Sequence, residues 1–160
     1  MVSWDALSVE RVIELVQYWV NQDWPLMQDK VSAAMAGVGW VMGEDGRWQA
    51  DSVPLARQNL SAVAGYEEKG LDHISWNVTD VVLGDSPERT TFMNNAFAVF
   101  TKKLSMLYGK AKRKRQPDFV SAQWDTFNGC RLKMVNRYSA VGIDLYSSNY
   151  SQILRNSDRR

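Results

Sequence analysis

His73 and Cys130 are the only histidine and the only cysteine among 160 residues, and they are the first places to look for chemistry. Zinc sites draw on several Cys or His. One of each, far apart in sequence, makes none. By strand alternation His73 shares a face with Ser75 and Asn77, opposite Ile74 and Trp76, which reads as a surface or turn residue rather than a general base. Asp72, Asp80 and Asp85 could meet near one strand end around a divalent cation, but their spacing fits no calcium loop, and turn or cap roles account for them better. Nucleophile-elbow, phosphate-loop and dinucleotide-binding glycine patterns are all absent. Gly37-Val38-Gly39 follows a helical pattern and reads as a helix stop. The sequence thus predicts no catalytic residue, no metal, no cofactor and no enzyme.

Two clusters suit binding better. Lys110, Lys112, Arg113, Lys114 and Arg115 form a basic run, read as a linker from Lys110 to Pro117. Such a run meets an acidic surface, or simply favours the C-terminal end of the preceding helix. No interleaved aromatic platform accompanies it, so nucleic acid is not expected. The second cluster is the acidic turn Glu44-Asp45 with Trp48, and Trp is a favoured anchor at interfaces. Trp4, in the amino-terminal arm, is a weaker case of the same kind. The expected partner-binding residues are therefore Glu44, Asp45, Trp48, Lys112, Arg113 and Arg115.

Local patterns predict the elements that carry these residues. Val9, Val12, Ile13, Val16, Trp19 and Val20 recur at helical spacing behind the N-cap Ser8. A second helix is expected from Pro25, stopped by Gly37 and Gly39, making an αα-hairpin with the first. Trp40-Val41-Met42 and Arg47-Trp48-Gln49 flank a turn at Gly43 to Gly46. Val53 to Gln58 is ambiguous, Asn59 to Glu68 reads as a strand, and Glu67 to Gly70 as a turn. Leu71 to Val82 is the clearest strand. Ser86-Pro87-Glu88 then opens a long helix ending at Gly109, with an expected apolar face of Phe92, Ala96, Val99, Phe100, Leu104 and Leu107. Three strands follow, Ala122 to Thr126, Cys130 to Asn136 and Ala140 to Tyr146, the first two joined by an Asn128-Gly129 turn. The tail from Ser147 predicts a short helical turn. Helices and strands in separate runs predict an α+β fold: a mainly antiparallel sheet packed against an N-terminal helical hairpin and one long central helix.

Length, 45% hydrophobic residues and 23% charged residues fit one globular domain over 1–160, with 1–7 and 156–160 expected to fray. A net charge of +1 supplies no global field toward nucleic acid or membrane. Met1 to Leu15 lacks the signal-peptide pattern, and no apolar run could span a bilayer. With a single Cys, these features predict a cytoplasmic protein.

Several stretches together resemble a family of small proteins of high-GC Gram-positive bacteria. They are Trp4-Asp5-Ala6-Leu7-Ser8 with its amphipathic helix, Asp23-Trp24-Pro25-Leu26 leading to Gly39-Trp40, the Trp124 strand, Arg131-Leu132, and Val141-Gly142-Ile143-Asp144-Leu145 followed by Ser147 and Tyr150. Members look like neighbours of secreted polymorphic toxins. The resemblance implies an immunity protein that binds a cognate toxin domain and covers its active site, with a secretion chaperone or adaptor for an effector as the alternative. It carries no catalytic residues.

Overall fold

The computed structural model describes residues 4–24, 26–45, 47–50, 55, 61–64 and 71–158. Helix α1 (Val9–Val20) begins where the Ser8 hydroxyl accepts the Arg11 amide at 3.1 Å, the cap its sequence calls for. It buries Val12, Leu15, Val16, Trp19 and Val20. Helix α2 (Gln28–Gly37) starts later than expected, with Met27 as its cap. The reason is tertiary. The Leu26 carbonyl accepts the Leu71 amide at 2.9 Å in an isolated antiparallel bridge, which holds Leu26 extended and outside the helix. Pro25 itself lies outside the described residues. The Tyr18 hydroxyl donates to the Ala34 carbonyl at 2.6 Å and sits where a Cβ on residue 37 would stand, so the close α1–α2 approach requires Gly37.

Strands β1 (Val41–Met42) and β2 (Trp48–Gln49) form a small separate ladder. The main sheet comprises β3 (Ser61–Ala64), β4 (Leu71–Asn77), β5 (Lys112–Gln116), β6 (Phe119–Asp125), β7 (Arg131–Asn136) and β8 (Val141–Tyr146). Its order is β3-β4-β8-β7-β6-β5, antiparallel at every step. The α+β expectation holds. Most of the ambiguous stretch 53–58 and the turn expected at 67–70 lie outside the described residues.

Helix α3 (Pro87–Tyr108) carries the chain from β4 to the far edge strand β5 and lies across β6, β7 and β8. The Ser86 hydroxyl caps it by accepting the Arg89 amide at 3.0 Å, and Gly109 ends it at φ 93°. Its buried stripe is Met93, Ala96, Phe97, Phe100, Thr101 and Leu104. Val99 and Leu107, expected inside, are exposed because a helix lying on a sheet covers a narrower stripe than its full apolar arc.

Of the amino-terminal residues expected to fray, Asp5 and Leu7 are hydrogen-bonded to the chain beyond β4. The Leu7 amide donates to the Val78 carbonyl, and the Asp80 amide to the Asp5 carbonyl. Helix α4 (Ser148–Asp158) extends the short turn expected at the tail. No helix among the described residues is long and apolar enough to cross a membrane.

Candidate interaction surfaces

The basic run is not a linker. Lys112–Gln116 is edge strand β5, exposed along its length and hydrogen-bonded to β6. Strand alternation therefore divides the run between two faces. Arg113 and Arg115 lie on the helix side, where the Arg113 guanidinium stands 6.0 Å from the Phe97 ring centroid. Lys112 and Lys114 lie on the opposite face. A strand was hard to see because all five side chains are polar, so no apolar alternation marks it.

The structure joins β5 to more positive charge. Lys102, Lys103 and Lys110 at the end of α3 are exposed, as are the four cations of β5. Residues 102–115 thus hold seven of the chain's 19 Lys and Arg without one Asp or Glu, which leaves −6 on the rest. Among the described residues, no carboxylate forms an ion pair with any of the seven. Val99, Met106 and Leu107 of α3 are exposed on the same stretch of helix.

The acidic turn lies elsewhere. Glu44 and Asp45 are exposed, and the Asp45 carboxylate accepts the Arg47 amide at 3.0 Å. Trp48 is half-buried against the core, so packing already employs part of the ring. Trp40, at the foot of β1, meets Trp76 of β4. From β4, β5 is four strand spacings away, roughly 19 Å at the usual 4.8 Å. The fold does not bring the two expected clusters together.

A third surface was missed. The face of the sheet opposite α1 and α3 carries a row running Lys112, Gln123, Lys133, Asp144 and Ser75 across five strands. Asp144, on the central strand, has a side chain only 10% exposed. Its carboxylate oxygens stand 3.7 Å from His73 Nε2 and 3.6 Å from an Arg137 nitrogen. His73 Nε2 finds no hydrogen-bond partner among the described residues. The His73 ring stacks on Tyr146 at 4.7 Å, and Tyr146 stacks on Tyr150 of α4 at 5.6 Å. Burial lowers the pKa of Lys133, an effect that Asp144 opposes. Burial, and then Asp144, push the Tyr146 phenol up to about 12. His73 is thus a packed member of this cluster rather than a turn residue. Alternation within each strand hinted at a polar face, but only cross-strand register puts Asp144 among these cations.

The remaining chemical candidates have structural roles. Burial pushes the Cys130 thiol up to about 11, which keeps it protonated at neutral pH and a poor nucleophile. Asp80 accepts the Asp5 amide at 2.7 Å, Asp85 pairs with Arg89, and the Asp72 carbonyl accepts the Ser147 amide. Among the described residues, no group of three or more His, Cys, Asp or Glu could hold a metal ion.

These features define an α+β protein built on one antiparallel sheet, with its long helix on one face and charged groups on the other and at one edge. The chain belongs to a family of unknown function, DUF6301, whose pattern it matches over residues 10–147. No curated protein and no solved structure matches it.

Proposed function

We propose that this chain is an immunity protein that binds a cognate secreted toxin domain and neutralises it by covering its active site. The observation that carries a binding role is the surface formed by the end of α3 and β5. Seven exposed cations without a described carboxylate partner repel one another, and Val99, Met106 and Leu107 beside them are exposed to solvent. Such a surface costs folding stability, and an acidic partner would offset that cost. The toxin reading itself rests on the resemblance of the Trp4 to Ser8, Asp23 to Leu26 and Val141 to Tyr150 stretches. Acting in the cytoplasm of the producing cell, the protein would need no cofactor.

The test is co-expression with the product of the neighbouring toxin gene. Growth should be restored by the wild-type chain, and the purified pair should form a stable complex. No binding to any neighbouring gene product would remove the immunity reading. A secretion chaperone or adaptor is the second reading, favoured by the outer edge of β5, with which no described strand pairs. A chaperone would bind a targeting segment and promote its export, without neutralising a folded toxin domain.

A further inference from the structure

We infer that β5 is a docking edge that takes an acidic, extended segment of a partner protein as an additional antiparallel strand. The inference rests on the protein-binding reading above and specifies the partner's chemistry.

Three observations carry it. β5 closes one side of the sheet and, among the described residues, has a ladder on its β6 side only, so alternate N–H and C=O groups along 112–116 face away from β6. Open edges invite pairing with other chains. The residue types then decide which chains can pair. A second copy of Lys-Arg-Lys-Arg would set cation against cation, which is unfavourable, whereas an acidic strand gains at each opposed pair. Because Lys112 and Lys114 lie on one face and Arg113 and Arg115 on the other, the charge match works whichever face the incoming acidic side chains take. Lys102, Lys103 and Lys110 extend the positive field toward the same edge, which favours capture of an acidic segment before it pairs.

β5 is also held firmly enough to act as a template. Its ladder with β6 spans five residue pairs, β6 is paired with β7 along its length, and Arg113 rests against Phe97. Strand addition on such an edge draws affinity from main-chain hydrogen bonds and specificity from alternate side chains.

The test uses the whole chain and a ten-residue peptide alternating Glu with Val. Its controls are the same peptide with Lys in place of Glu, and a Glu peptide N-methylated at four consecutive central residues, so that in either register two of the methylated positions face β5. The Glu peptide should bind and slow amide exchange across 112–116 by at least about tenfold. N-methylation should weaken binding by about tenfold, the equivalent of one or two lost backbone hydrogen bonds. The pair Lys112→Glu and Lys114→Glu should narrow the preference for the Glu peptide over the Lys peptide, with Arg113 and Arg115 still offering one cationic face, and with far-UV spectrum and melting temperature confirming the fold. Equal binding of the N-methylated peptide, or exchange in 112–116 left unchanged, would overturn strand addition. Tighter binding of a DNA duplex or of anionic vesicles than of the Glu peptide would overturn the choice of a protein partner. Failure of the two readings is separable. A neighbouring toxin that still binds without protecting 112–116 leaves the immunity reading standing and removes the docking edge. Peptide protection without binding to any neighbouring product does the reverse.

Discussion

Trp40 and Trp76 meet with ring centroids 5.6 Å apart, and this contact fastens the small β1–β2 ladder to the main sheet. Trp19 of α1 also stacks on Trp40 at 5.4 Å, so three buried indoles join α1, the hairpin and β4. Among the described residues, none of their Nε1–H groups has a hydrogen-bond partner. Trp76→Ala and Phe100→Ala should each cost about 3–5 kcal/mol by chemical denaturation. Trp76→Phe should cost much less, because the ring refills most of the space and the N–H it removes has no described partner to lose. Equal losses for Phe and Ala at position 76 would show that the indole is held by its polar atom.

Trp48 should behave as a packing residue before it behaves as an anchor. Its half-burial against the core predicts that Trp48→Ala lowers stability by about 1–3 kcal/mol. If the acidic turn also contacts a toxin, dissociation should quicken as well. An unchanged denaturation midpoint would place the ring free at the surface.

Removing the Asp144 carboxylate should cost stability, since it leaves Arg137, Lys133 and Arg131 close together around a buried site. Asp144→Asn should destabilise the fold by about 1 kcal/mol, because Asp144 is buried but its partner Arg137 is half exposed to solvent. Lys133→Met in the same chain should recover part of that loss. Strict additivity of the two changes would argue against coupling across the β7–β8 ladder.

The raised pKa of Tyr146 gives a stability term with a definite sign. The folded state holds the phenol neutral up to about 12, whereas the unfolded chain ionises near 10. The contribution is therefore complete below pH 10 and is lost as pH climbs through 12. Tyr146→Phe should flatten the decline in stability across that window and delete the last step of a spectrophotometric tyrosine titration. A wild-type titration completed near pH 10 would contradict the burial.

Residue types settled the local features by themselves. Ser8 and Ser86-Pro87-Glu88 marked helix starts, Asn128-Gly129 marked a hairpin where Gly129 takes φ 88°, and alternation put Ile74 and Trp76 inside. These signals act within a few residues, through caps, turns and periodicity, so a single strand or turn displays them. Tertiary structure decided the rest. Leu26 is drawn out of a helix by Leu71, Val99 is left exposed by the way α3 lies on the sheet, and the basic run becomes an edge strand through its pairing with β6. Asp144 finds Lys133, Arg137 and His73 only because β8 lies between β4 and β7. Cross-strand register joins residues far apart in the chain, and no local pattern records which distant partner a strand will choose.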